Sequence, residues 1–205
     1  MNYFEAILLA VIQGLTEFLP VSSSAHLILF SEISGGNQNL FYDVSLHLGT
    51  LIAVMFYFKS DIKEIFRSIT KDRSLIRNQL SRNLIISSIP TLILGYILVD
   101  FIDVYLRTSL IIAFTTIFFA MVLYLATFKS QTKKDLSDIS TIDALVIGLF
   151  QSLSLIPGSS RSGITISAAL FLGFDNQTAS RFSFLLAIPT IGAIASYLLL
   201  TAEWN

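Results

Sequence analysis

Two stretches of this chain combine residue types that an apolar sequence seldom holds together. The first reads Gln13-Gly-Leu-Thr-Glu17-Phe-Leu-Pro-Val-Ser22-Ser23-Ser24-Ala-His26 and sets a carboxylate, three serine hydroxyls and an imidazole close in sequence. The second reads Pro157-Gly158-Ser159-Ser160-Arg161-Ser162-Gly163 and sets one arginine among hydroxyls and glycines. Arg161 carries a planar, permanently charged fork of N–H donors that grips phosphate oxygens. Gly158 and Gly163 let backbone N–H groups turn toward one point. The apolar helix expected after them adds the partial positive charge of a helix N-terminus. Arg161 with Ser159, Ser160 and Ser162 therefore forms a candidate anion cradle. The alternative is a structural arginine paired with an acid such as Glu17.

The first stretch supplies what the second lacks. Gln13 and Glu17 are four residues apart and share a helix face. The Glu17 carboxylate could bind a divalent cation through oxygen, with Gln13 beside it, or act as a general base. Ser22, Ser23 and Ser24 with His26 give the elements of a nucleophile and its base, and imidazole nitrogen can itself attack phosphorus. His47, in Asp43-Val-Ser-Leu-His47-Leu-Gly, has no such company and reads as a hydrogen-bonded core residue. Aligning Pro20 with Pro157 sets Ser22 and Ser23 opposite Ser159 and Ser160, and Ser24 opposite Arg161. Two helix-break-hydroxyl segments in one chain point to paired repeats sharing a site; a chance recurrence of a short motif is the alternative.

The elements that must position these residues belong to a membrane. The 205-residue chain is 54% hydrophobic and only 13% charged, about half the charge of a soluble domain. Too little polar surface remains to cover a globule in water. Apolar stretches run over about 3–19, 41–58, 84–106, 108–128, 142–156, 163–173 and 182–201, and a full span needs about 20 residues. The first, fifth and sixth are short or interrupted, with Pro20 and Pro157-Gly158 at the breaks, as in discontinuous or re-entrant helices. Seven of the thirteen basic residues lie at 59, 63, 67, 71, 73, 77 and 82, and Lys129, Lys133 and Lys134 follow the fourth stretch. Basic loops stay cytoplasmic, so 84–106 and 108–128 form a hairpin going out and back, and 34–39 is an external loop. A net charge of −1 gives no footing for nucleic acid, and the absence of cysteine excludes thiol chemistry and disulfides. The N-terminus has no basic region or small-residue cleavage site, so the first apolar segment is expected to remain.

These residues resemble a known family. Gln13 to His26 is similar to the first signature of the undecaprenyl-diphosphate phosphatases of the bacitracin-resistance type, and Pro157 to Gly163 is similar to their second. Leu46-His-Leu-Gly-Thr-Leu and Arg181-Phe-Ser-Phe-Leu-Leu-Ala-Ile-Pro189 extend the resemblance over the whole chain. It implies an all-α integral membrane protein, a multi-helix bundle with inverted repeats and re-entrant broken helices, the repeats covering about 1–106 and 108–205 of one membrane domain. It implies hydrolysis of undecaprenyl diphosphate to undecaprenyl phosphate, recycling the carrier lipid for peptidoglycan synthesis in the bacterial inner membrane, with a site facing the external side. By position, Glu17, Ser23, His26 and Arg161 would be catalytic, Glu17 with Gln13 would hold Mg²⁺ or Ca²⁺, and Gln13, Ser22, Ser24, Gly158, Ser159, Ser160, Ser162 and Gly163 would bind the diphosphate. Ser23, His26 and water stay open as the attacking group. A polyprenyl diphosphate and membrane lipids are the expected partners, and a homodimer is an assembly open to such a chain.

Two departures from the family pattern bear on this reading. Ala25 stands where glycine is usual, which would matter if that backbone needs positive φ. Family members usually continue through two further spanning helices, so the second repeat is expected to be C-terminally incomplete. The rival functions are a transporter that flips a polyprenyl-phosphate lipid without cleaving it, and a truncated, inactive homologue.

Overall fold

The computed structural model describes residues 3–34, 40–72, 79–128 and 134–201. Among these, nine α-helices follow one another with no named strand. They are α1 (Tyr3–Thr16), α2 (Ser23–Ser34), α3 (Leu40–Tyr57), α4 (Lys59–Asp72), α5 (Gln79–Phe101), α6 (Ser109–Thr127), α7 (Thr141–Ser152), α8 (Arg161–Phe171) and α9 (Asn176–Thr201). A π-helical turn, Ile102–Leu106, prolongs α5 to the hairpin that leads into α6. Three helices are long and apolar enough to cross a membrane: Gln79–Leu106, Ser109–Thr127 and Asn176–Tyr197. The all-α membrane architecture expected from the sequence is therefore the observed one.

Two helices lie where the sequence predicts none. α2 follows the first break, and its run is too short and too polar at Ser31 and Glu32 to register as a membrane segment. α4 occupies the stretch read as a basic loop. Its Ile62, Ile65 and Phe66 fall on one face and Lys63, Glu64 and Arg67 on another, so mean hydropathy cancels while helical periodicity does not. Arg181, near the head of α9, pairs with Asp61 of α4. The external loop expected at 34–39 falls, after Ser34, outside the described residues.

Packing is densest around α5, α7, α8 and α9, where Ile147, Leu170, Phe182, Leu185 and Leu186 are fully buried. The outward faces are apolar as well: Phe114, Ile117 and Met121 of α6 are exposed, as expected where the solvent is lipid. Lipid removes most of the hydrophobic drive between helices, so close approach and hydrogen bonds must join them. The α5–α7 seam has both. The Ser87 hydroxyl donates to the Ala144 carbonyl at 2.6 Å, and Gln151 Nε2 donates to the Ser87 carbonyl at 3.2 Å and to Thr91 Oγ1 at 3.1 Å. Gly148 sits so near α5 that a Cβ on it would lie 2.5 Å from the Ser87 oxygen.

α6 braces the second break. Thr115 and Thr116 donate to the carbonyls of Pro157 and Gly158 at 2.6 and 3.1 Å, acceptors that an interrupted helix would otherwise leave unsatisfied. Gly158 adopts φ +92°, and a Cβ there would collide with Thr115. Two contacts fix the far ends of the broken pairs. Ser109 at the α5–α6 hairpin donates to the Glu32 carboxylate near the end of α2 at 2.9 Å. Lys134 donates to the Leu172 carbonyl just past α8 at 3.1 Å.

The α5–α7 approach predicts a strong asymmetry between two glycines. Gly148→Ala should destabilise the folded protein in detergent by about 1–3 kcal/mol through forced separation of the helices. Gly14→Ala, where no atom lies within 4 Å of the added carbon, should leave the thermal midpoint unchanged or slightly raised. Melting of the two purified variants checks this.

Candidate functional site

Each break uses the same local turn. Ser22 and Ser160 are the only non-glycine residues with positive φ among those described, both at +59°. Each precedes the first residue of a short helix, Ser23 of α2 and Arg161 of α8. Each hydroxyl lies 3.3 Å from that of the serine two residues on, Ser24 and Ser162. Each accepts from the backbone N–H three residues on, Ala25 at 3.4 Å and Gly163 at 3.2 Å. This is N-capping by a serine held in a strained backbone.

The geometry therefore pairs Ser22 with Ser160, Ser23 with Arg161 and Ser24 with Ser162, one residue out of register from the alignment made on the prolines. The shifted register also sets Gln13 against Gln151 and Ala25 against Gly163. Proline fixes its own φ without marking where the next helix begins, so it is a poor anchor for aligning caps. Ala25 is buried within α2 and has no positive φ, so the alanine meets no backbone strain there.

The two breaks face one another and share a buried ion pair. Arg161 donates through one terminal nitrogen to Glu17 Oε1 at 2.9 Å. Its other terminal nitrogen donates to the Ser183 carbonyl on α9 at 3.3 Å, and its guanidinium lies 6.0 Å from the centre of the Phe18 ring. The Ser162 hydroxyl donates across the gap to the Leu19 carbonyl at 3.0 Å. Glu17 follows directly on α1, its own N–H still donating to the Gln13 carbonyl. Its second oxygen, Oε2, accepts from Gln13 Nε2 at 3.0 Å and from the Ser23 hydroxyl at 2.6 Å. Gln13, Glu17 and Ser23 are all buried.

The expected site residues divide accordingly. Gln13, Glu17, Ser23, Arg161 and Ser162 meet at the junction. Ser22 and Ser160 shape its two turns, with Ser24 and Gly163 hydrogen-bonded to them. Gly158 and Ser159 lie on the α6 side, where Ser159 donates to the Ile156 carbonyl. His26 is exposed, and its Nδ1 lies 2.8 Å from the Ser22 carbonyl, one turn back on its own helix. The hydroxyl of Ser23 is thus directed to Glu17 rather than to an imidazole. His47, read from sequence as a core residue, stands with Nε2 at 3.7 Å from Glu17 Oε2. The resemblance runs through its segment, Leu46-His-Leu-Gly-Thr-Leu, but the hydroxyl company that singles out His26 is missing, and its nearness to Glu17 depends on α3 packing against α1.

Whether a divalent cation fits can be judged from the oxygens present. Gln13 Oε1 is buried without a hydrogen-bond partner among the described residues, beside the Glu17 carboxylate. A carboxylate, a carbonyl and hydroxyls form the hard-oxygen set that Mg²⁺ or Ca²⁺ prefers. Among the described residues no cluster of three or more His, Cys, Asp or Glu side chains is placed to hold a metal. This arrangement suits a cation that takes much of its shell from a substrate's phosphates, as Mg²⁺ commonly does.

The family described as bacitracin resistance protein BacA matches residues 6–204. The chain is 47% identical to an undecaprenyl-diphosphatase of Aliivibrio salmonicida over 203 residues, which is 97% of this chain and 76% of that relative. It is 48% identical to undecaprenyl-diphosphatase 1 of Pseudoalteromonas translucida over 202 residues, 96% of this chain and 76% of that relative. It is likewise 48% identical to an undecaprenyl-diphosphatase of Hahella chejuensis, over 94% of this chain and 74% of that relative.

The strained cap at Ser160 yields a graded expectation. Ser160→Ala keeps the unfavourable φ and loses the cap, at a cost of about 1 kcal/mol. Ser160→Gly loses the cap too, but glycine adopts positive φ freely and substitutes for a capping serine at a cost of only about a few tenths of a kcal/mol. The melting midpoint should fall in the order wild type, glycine variant, alanine variant.

Proposed function

The chain belongs to the bacitracin resistance protein BacA family, and from that premise we propose how its polar junction performs the family's reaction. The protein is a membrane phosphatase that hydrolyses undecaprenyl diphosphate to undecaprenyl phosphate and inorganic phosphate, returning the carrier lipid used in peptidoglycan synthesis. The observation that carries the mechanism is the 2.6 Å hydrogen bond from the Ser23 hydroxyl to Glu17 Oε2, with Arg161 on the other oxygen of the same carboxylate.

Glu17 accepts the Ser23 proton as Ser23 Oγ attacks the terminal phosphorus. The bond from that phosphorus to the bridging oxygen breaks, and undecaprenyl phosphate leaves with the electron pair. Glu17 passes that proton to the departing undecaprenyl phosphate and is again a carboxylate; it then takes a proton from the water that displaces serine from phosphorus and returns it to Ser23 Oγ, and inorganic phosphate departs. Arg161 has five N–H donors, so its contacts with Glu17 and Ser183 leave capacity for phosphate oxygens. The N–H groups opening α2 and α8 stabilise the charge that develops on the transferring phosphoryl group. Glu17 and Gln13 Oε1 would hold a divalent cation, which when bound offsets negative charge on the diphosphate.

The placement of the broken pairs supports entry from opposite membrane faces. α2 ends beside Ser109 at the tip of the α5–α6 hairpin, the outer side by the basic-loop argument. α8 ends beside Lys134, on the basic inner side. The two breaks then meet near mid-membrane, where inverted repeats place a shared site. External access fits the α1–α2 pair, which carries Glu17 and Ser23. Transport of the lipid without cleavage finds no support in the relatives named above, which bear a phosphatase name.

Phosphate release from undecaprenyl diphosphate by the purified chain tests this reading. Release should require Mg²⁺ or Ca²⁺ and stop with EDTA. Ser23→Ala and Glu17→Gln should each lower kcat by about 10³-fold or more, and Arg161→Ala should lower kcat/KM by a similar factor. Undiminished hydrolysis in Ser23→Ala would exclude Ser23 as the nucleophile and leave His26 or water as the attacking group.

A further inference from the structure

Resting on that mechanism, we propose that His47 is a positioning residue of the site, holding the Glu17 carboxylate from α3 while Arg161 engages substrate. The argument starts from what the carboxylate must do. Oε2 has to stay directed at the Ser23 hydroxyl, 2.6 Å away, through proton transfer. In the resting arrangement the opposite oxygen is anchored by Arg161 at 2.9 Å. Arg161 also serves the incoming phosphate through its remaining donors, and the added negative charge draws the guanidinium toward the diphosphate and weakens the anchor on Oε1. Glu17 itself lies just beyond the end of α1, where backbone restraint is poorest.

Two groups remain that do not belong to the breaks. Gln13 Nε2 approaches Oε2 from the last full turn of α1 at 3.0 Å. His47 Nε2 approaches the same oxygen from α3 at 3.7 Å, within ion-pair range and longer than a hydrogen bond. Such contacts commonly tighten when substrate binds. α3 is uninterrupted from Leu40 to Tyr57 and packs on both α1 and α9. The Thr50 hydroxyl bonds back to the His47 carbonyl at 3.0 Å within the same helix. An orienting group does its task best from a rigid element. With its proton on Nε2, the imidazole turns a third polar hydrogen toward Oε2 and attracts its negative charge, beside the hydrogen bonds from Ser23 and Gln13.

The proposed contact works through the N–H of the imidazole, which sets the test. His47→Leu removes the donor and His47→Gln restores one. Replacing a group that orients a functional carboxylate costs about 10–100-fold in activity. We expect His47→Leu to lower kcat for undecaprenyl diphosphate by that factor with KM within about twofold, and His47→Gln to recover most of it. In a Glu17→Gln background, where no carboxylate needs orienting, His47→Leu should cost no more than about twofold further. A second readout is independent of turnover: the infrared carboxylate band of Glu17, assigned in ¹³C-glutamate-labelled protein by its loss in Glu17→Gln. It should shift in His47→Leu and hold in His47→Gln. A band unmoved in His47→Leu, a glutamine variant as impaired as the leucine variant, or a full additional loss in the Glu17→Gln background would overturn the assignment. Absence of phosphate release from the wild type, with the band shift intact, would instead count against the hydrolytic mechanism alone.

Discussion

The ion pair between Glu17 and Arg161 is the constraint on which the rest of the molecule depends. Both side chains are largely withdrawn from solvent, at 6% and 12% exposure. In an apolar surrounding neither charge is tolerable alone, and removing one partner from such a pair costs about 3–5 kcal/mol. The pair joins the two interruptions, with Glu17 just past α1 and Arg161 opening α8. Everything near it solves the problem those interruptions create. Ser22 and Ser160 cap the restarted helices, Thr115 and Thr116 satisfy the carbonyls of the second break, and Ser162 bridges to the first. The hydroxyl richness that first suggests chemistry is thus mostly the cost of opening a helix inside a membrane, and Ser23 is the hydroxyl that reaches the carboxylate.

Equivalent turns carry unlike residues, and that difference makes the junction a site. At the first helical position the α1–α2 pair has Ser23 and the α7–α8 pair has Arg161. Where the first has Glu17, the matching position in the second is Leu155, and Gln151, the counterpart of Gln13, is spent on the α5–α7 seam through Ser87 and Thr91. A strictly symmetric pair would present two acids or two arginines to one another, and like charges at this depth repel without relief. Divergence gives an acid, a base and a hydroxyl drawn from separate elements, each positioned by packing that the others do not share.

The sequence announced the solvent, the breaks and most of the polar junction. Hydropathy located α5, α6 and α9, and the Pro and Ser-Gly signals located both interruptions, because a membrane punishes unsatisfied backbone and leaves few ways to end a helix. It misjudged what depends on geometry across elements. The helix α4 is amphipathic, so its apolar stripe vanishes in a hydropathy average. The repeat register slipped by one because the conserved local feature is a φ angle at Ser22 and Ser160, which no residue type encodes uniquely. His26 sits beside the serines in sequence but turns to its own helix, whereas His47, distant in sequence, is brought to Glu17 by the packing of α3. The spacing of residues along one helix is legible; the meeting of two helices is not.

The location of the junction also answers a requirement of the substrate class. A polyprenyl diphosphate is a dense charge at the end of a chain that belongs in lipid. A site on a soluble face would have to extract that chain, and a site in unbroken helices would have no backbone N–H groups to offer the charge. Two opposed half-helices supply both needs: their N-termini bring positive potential into the membrane without adding a formal charge, and their outward faces remain apolar. One arginine then suffices in the proposed mechanism, because Glu17 neutralises it until a phosphate engages its remaining donors. On the proposed mechanism the resting ion pair is the stored form of the binding interaction, and the anchoring of Glu17 when that pair loosens decides whether the Ser23 proton still has an acceptor in place.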